Sequence, residues 1–139
     1  MEQARQETFP ARGSSLGAVR GFVQRCAEDL RLAMADEQDV VLAASEAATN
    51  AIEHGVGPAV RVSCRPEGSW LAIEVESQGA FEPPPDTDAL DLTRGRGLQI
   101  ILALVDEVTI RVGNQTDPTT LVRMRKRLDL GPVRGTSLL

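Results

Sequence analysis

The sequence has little of what several common functions require. It has one histidine, His54, and two cysteines, Cys26 and Cys64, too few and too dispersed for a zinc-ligand set. Both cysteines stand at positions that read as apolar, which suits buried free thiols in a reducing compartment. Twenty acidic against fifteen basic residues give a net charge of −5, and no basic block occurs, so direct nucleic-acid binding is not expected. The opening MEQARQETFPARG has no apolar core and does not read as a signal peptide. No run approaches the roughly 18 apolar residues of a membrane span. No repeat or low-complexity segment interrupts the first half of the sequence. A cytoplasmic single domain with no membrane contact is expected from these absences.

The stretch from Val40 to Gly57 organises what is present. Val40, Val41, Ala44, Ala47, Ala48, Ala51 and Ile52 recur at three- and four-residue steps and predict a helix with a small-residue packing face. Glu46, Asn50 and His54 fall at i, i+4 and i+8, a stripe that drifts by about 40° per step. A carboxylate and a carboxamide walled by alanines suit the side of a polar pocket better than a solvated face. Gly55 and Gly57 stop this helix and Pro58 prevents it from resuming.

Before it, a short edge strand is expected near Glu7–Pro10, and Ser14 and Ser15 are candidate caps. Leu16, Val19, Val23, Cys26, Ala27, Leu30 and Met34 then predict an amphipathic helix of about twenty residues, its outer face carrying Arg20, Gln24, Arg25, Glu28 and Arg31. Asp36 or Asp39 is the expected start of the central helix. After Pro58 the period shortens to two. Val60, Val62 and Cys64 alternate with polar partners, a turn follows at Pro66–Ser69, and Leu71, Ile73 and Val75 form the return strand. Residues 82–91, with three consecutive prolines, read as an extended loop. Leu98, Ile101, Leu102 and Val105 predict a short helix, then Val108–Val112 and Leu121–Met124 a second hairpin. The fold class is α+β: helices on one face of a mixed, mostly antiparallel sheet. Residues 1–13 form an arm or edge strand, 14–128 the domain, and 129–139 a tail without pattern.

The motif E-A-A-T-N-A-I-E-H-G resembles the signature helix of the Bergerat-fold ATPases, the superfamily of gyrase, heat-shock chaperones, histidine kinases and mismatch-repair proteins. Its wording is most similar to that of the small bacterial anti-sigma-factor serine kinases. The resemblance spans about residues 7–128 and implies a two-layer sandwich that binds ATP and Mg²⁺. It implies that Asn50 holds the metal through its neutral carboxamide oxygen and that Glu46 is the base or water-positioning carboxylate. Gly95-Arg96-Gly97-Leu98, preceded by Arg94, matches the family's phosphate lid, where glycines let the backbone approach and a helix start offers N–H groups.

Two motifs depart. The family's strand ends in apolar-x-apolar-x-Asp-x-Gly, with the aspartate on the adenine amino group; here Ser77 stands in its place ahead of Gly79. Strand parity sends Glu76 to the other face, so it is no substitute. A neutral bond for a charge-assisted one costs about 1–3 kcal/mol, roughly five- to a hundredfold in affinity. The family's Gly-Thr reads Thr119-Thr120, with Thr120 in the threonine's position and Thr119 crowding the pocket.

The resemblance implies a kinase that sequesters a sigma factor and phosphorylates a STAS-domain anti-anti-sigma protein, acting as a homodimer. The alternative is a partner-binding switch on the same fold with weakened or absent catalysis. A sensor-kinase catalytic domain is the third reading.

Overall fold

The computed structural model describes residues 4–77, 96–113 and 116–128. Strand β1 (Arg5–Pro10) leads through a single 3-10 turn (Gly13–Ser15) into α1 (Leu16–Asp29) and α2 (Met34–His54). Then come β2 (Ala59–Glu67), β3 (Trp70–Ser77), α3 (Arg96–Leu104), β4 (Glu107–Arg111) and β5 (Thr120–Arg127). The strands form one sheet in the order β1-β2-β3-β5-β4, and each of these four pairings is antiparallel. The expected mixed sheet is thus antiparallel throughout its described part.

Period-two patterning decides which face is covered. Val60, Val62 and Cys64 on β2, Leu71, Ile73 and Val75 on β3, and Met124 on β5 are buried and meet the helix layer. From α2, Val40, Ala43, Ala44, Ala47 and Ala48 are buried against them. Short alanine side chains let this helix lie close to the sheet while α1 and α3 flank it. Phe9 of β1 meets Phe22 of α1 edge to face at 6.1 Å, joining the sheet edge to the helix layer. Lys126 of β5 reaches up between two helices, donating to the Leu104 carbonyl at the end of α3 (3.0 Å) and to Asp39 of α2 (3.3 Å).

The first helix is shorter than its apolar spacing predicts. It ends at Asp29, and Met34, expected within it, opens α2 and is exposed. The break is a Schellman turn in which Arg31 takes φ +58°, its amide donating to Glu28 and that of Leu32 to Ala27. No glycine marks it, so the period alone runs through. Arg31→Gly relieves a left-handed strain of about 1–2 kcal/mol and gives part of it back in unfolded-state entropy. A net stabilisation of about 0.5–1 kcal/mol is expected in urea denaturation. Ser15 caps nothing with its side chain; its hydroxyl donates to the Pro10 carbonyl at 2.7 Å and fastens the turn to β1. Neither Asp36 nor Asp39 starts α2; Asp36 and Glu37 lie in its first turn, where negative charge is favoured. Arg20 does not simply face solvent: it reaches from α1 to the Ser45 hydroxyl on α2 at 3.2 Å. In α3, Leu98 and Ile101 face the core, as does Val105 just beyond it, but Leu102 is exposed.

Strand β2 continues through Pro66 and Glu67, so the hairpin turn is only Gly68-Ser69, closed by Glu67 opposite Trp70. Gly68 takes φ +63°, the first central position of a tight hairpin turn. The uncovered face of the sheet is a lattice of opposite charges. Glu76 pairs with Arg61, and Arg123 joins Glu74 (2.6 Å) and Glu67 (3.0 Å). Arg125 bridges to Glu107 at 2.7 Å and lies over the Trp70 ring, 4.3 Å from its centre. The Arg123 hydrogen bond holds the Glu67 carboxyl below its usual range. A depressed folded pKa gives stability that is present above the unfolded value near 4.3 and is lost as pH falls through the folded one. Glu67→Gln should therefore cost up to about 1 kcal/mol at neutral pH, and nothing in acid, where the two melting curves converge.

Candidate functional site

The candidate site lies where the end of α2 meets the last residue of β3, which pairs with the first residue of β5. Ser45, Glu46, Thr49 and Asn50 show how α2 divides its circumference. Ser45 is buried and takes the Arg20 bond, and Thr49 returns its hydroxyl to the Ser45 carbonyl at 2.8 Å. Glu46 and Asn50 are half-buried, one turn apart on the flank of the alanine face. His54 is the last residue of the helix and is exposed.

Gly55 ends α2 in an extended conformation, φ −79° and ψ 162°, so its lack of a side chain does not serve a left-handed cap. It serves a close approach. A Cβ there would stand 2.5 Å from the Ala51 carbonyl oxygen and 3.4 Å from the Ser77 Cβ. The helix end is thereby pressed onto the last residue of β3.

Ser77 is buried and faces the helix layer on the same side as Leu71, Ile73 and Val75. Glu76 points the other way and is held by Arg61 on the uncovered face, so no carboxylate from this strand reaches the position beside Gly55. In the sheet Ser77 lies opposite Val60 of β2 and Thr120 of β5. The Thr120 hydroxyl accepts a hydrogen bond from the Gly113 amide at 2.9 Å, which fixes the oxygen while leaving its proton available to donate. Thr119 is half-buried just before it, its amide donating to Asp117 at 3.2 Å. Gly113 is buried against Pro118, where a Cβ would meet the Pro118 carbonyl oxygen at 2.5 Å.

Among the described residues no side-chain hydrogen bond engages Glu46, Asn50 or Ser77. These three polar groups are therefore free to bond to solvent or to a ligand. Among the described residues, too, no group of three or more histidine, cysteine or acidic side chains is placed to hold a metal. A cation at Asn50 would thus draw most of its ligands from elsewhere.

Of the residues singled out in the sequence, Glu46, Asn50, Ser77 and Thr120 are on elements that meet at this place. Arg96 and Gly97 open α3, and Leu98 anchors that helix in the core. Gly79, Arg94 and Gly95 lie outside the described residues, as do the proline-rich loop at 82–91 and the tail from 129. The sequence reading missed Gly113, whose amide orients Thr120, and gave Gly55 only the task of stopping a helix. Gly55 is visible as a helix stop, whereas nothing local distinguishes Gly113.

A family model described as the histidine kinase-like ATPase domain matches residues 9–126. A search of curated proteins gives no match. Among solved structures, the RsbU and RsbW domains of Rv1364c from Mycobacterium tuberculosis superpose with a TM-score of 0.70 at 23% identity. That match covers 91% of this chain but only 32% of the other. A chain of the SiaB–SiaC complex from Pseudomonas aeruginosa gives a TM-score of 0.61 at 12% identity, covering 88% of this chain and 87% of that one. No helix among the described residues is long and apolar enough to cross a membrane.

Proposed function

The chain belongs to the histidine kinase-like ATPase domain family, and from that premise we propose that it is an anti-sigma-factor-type protein kinase. In this reading it binds ATP with Mg²⁺, transfers phosphate to a serine of a STAS-domain anti-anti-sigma protein and sequesters a sigma factor, as a homodimer. The observation that carries the reading is the end of α2, the helix that bears Glu46 and Asn50 on its flank, pressed at Gly55 onto Ser77, which pairs with Thr120 on the neighbouring strand. Fold-level similarity to an RsbW domain, and to a protein solved as a complex of two chains, accords with a partner-binding kinase.

Each residue then has a task. The Asn50 carboxamide oxygen is a neutral, hard acceptor suited to a cation that keeps phosphate and water as its other ligands. Glu46, one turn away, accepts from and orients the attacking hydroxyl, since phosphoryl transfer depends chiefly on positioning and charge stabilisation. Ser77 faces the base edge with a neutral hydroxyl, and the Thr120 hydroxyl, its oxygen held by Gly113, donates from the neighbouring strand. Gly79, Arg94, Gly95, Arg96 and Gly97 would line and close over the nucleotide. Bound Mg²⁺ supplies neutralisation of the negative charge that builds on the transferring group.

The buried serine supports a second reading, a partner-binding switch without catalysis, because the charge that anchors adenine in the family is missing. Calorimetry of wild-type protein with ATP, with and without Mg²⁺, separates the two. Micromolar, Mg²⁺-dependent binding followed by phosphate transfer to a STAS partner upholds the kinase; no heat at millimolar nucleotide overturns it and leaves the switch.

A further inference from the structure

On the side of β5 that meets the helix layer, Val122, Met124 and Lys126 follow one another, with Leu128 just beyond the strand. Lys126 lies opposite the buried Leu71, so a lysine occupies one place in a row of apolar ones, its side chain only 16% exposed. A buried ammonium is costly unless it is bonded. This one donates to Asp39 of α2 and to the carbonyl of Leu104, the last residue of α3, where a positive charge also suits the helix end. Asp39 is aligned with the candidate site. Glu46 and Asn50 follow it at i+7 and i+11, within about 20° of one line along α2 and about 11 and 17 Å further on. Little more than one turn of α2 precedes Asp39, and α3 packs along α2, so α3 extends from its end at Asp39 back toward Glu46 and Asn50. Its nine residues span about 12 Å, which brings its first turn abreast of that pair.

We infer that Lys126 is a positioning residue for the nucleotide, a role that rests on the ATP-binding reading of the site. It acts through α3. By holding the Leu104 end of that helix to the Asp39 end of the stripe, it fixes where the free N–H groups of the first α3 turn stand relative to Glu46 and Asn50. Leu98 and Ile101 anchor α3 by apolar contact, which sets its depth but is non-directional and tolerates a tilt or slide along α2. The two Lys126 bonds are directional and remove that freedom. Any pivot at Leu104 is carried over the length of α3 to its first turn, and a misplacement of about 1 Å at a reacting group costs on the order of a hundredfold in rate. Strand β5 thereby carries a site residue, Thr120, at its first position and the clamp of α3 near its last.

The test is calorimetry with Mg-ATP and amide hydrogen exchange on the full chain, wild type beside Lys126→Met, Lys126→Arg and Asp39→Asn. Lys126→Met, similar in length but without donors, should bind Mg-ATP about tenfold or more weakly, with faster exchange confined to α3. Lys126→Arg keeps the charge and the donors and should stay within about threefold of wild type. Asp39→Asn should fall between the two. Adding it to Lys126→Met should cost nothing further, because both break one clamp. Asp39 is partly exposed, so its variant reads the same clamp if Lys126→Met folds poorly. Wild-type affinity in Lys126→Met, unchanged exchange of α3, exchange that rises throughout the chain, or losses that add in the double variant would each overturn the role while the ATP-binding reading stands. A wild-type protein that binds no Mg-ATP would overturn that reading and the role with it.

Discussion

Asn50→Ala is expected to remove Mg²⁺-dependent ATP binding, by on the order of a hundredfold or more. Losing an outer-shell residue of a metal site typically costs about 10- to 100-fold, and a direct ligand should cost at least as much. The change should leave the fold untouched. Asn50 is half-buried on the flank of α2, not in its alanine face, and alanine is the better helix former by up to about 0.7 kcal/mol. Removing an amide without a partner among the described residues strands no other group. Melting should therefore be unchanged or slightly raised while calorimetry in Mg²⁺ goes flat. A variant that keeps wild-type affinity in Mg²⁺ would show that the stripe on α2 is not the metal side of the site.

Ser77→Asp should act in opposite directions on the free and the bound protein. In the free protein it places a carboxylate at a buried position pressed against Gly55, with the strand's own Glu76 and its arginine on the far face. A stability loss of about 1–3 kcal/mol is expected, the cost of a buried polar group without a partner. With nucleotide, the adenine amino group supplies the missing donor, and affinity should rise about five- to a hundredfold. The signature is a lower melting temperature alone and a larger upward shift with Mg-ATP. Glu76→Asp in the wild-type background should change neither quantity through the site, because that side chain serves Arg61. If Ser77→Asp lowers stability without tightening nucleotide, position 77 is structural and the pocket reading fails there.

Local signals made most of this legible. Alternation fixed the parity of β2 and β3, and with it the burial of Ser77 and the opposite direction of Glu76, because a strand has only two faces. The three- and four-residue steps of α2 separated the alanine face from Glu46 and Asn50 in the same way. What escaped depends on contacts between distant segments. The Arg31 turn contains no glycine, so the apolar period ran on to Met34. The Arg20–Ser45 bond and the Gly113–Thr120 bond each join segments whose own sequences carry no sign of the other. Gly55 shows the difference within one residue. Its helix-stopping role is local and visible, and its fit against Ser77 is not.

The Arg125 guanidinium over Trp70 gives the chain a built-in optical gauge. Trp70 is the one tryptophan in the sequence, and Arg127 lies near the same ring, 5.7 Å from its centre. Its emission therefore responds to the two cations that lie near the ring among the described residues. Trp70 and Ser77 are the first and last residues of β3, about 24 Å apart at the usual strand rise. Light from the indole therefore registers whether the arginine stack stands at the end of β3 away from Ser77.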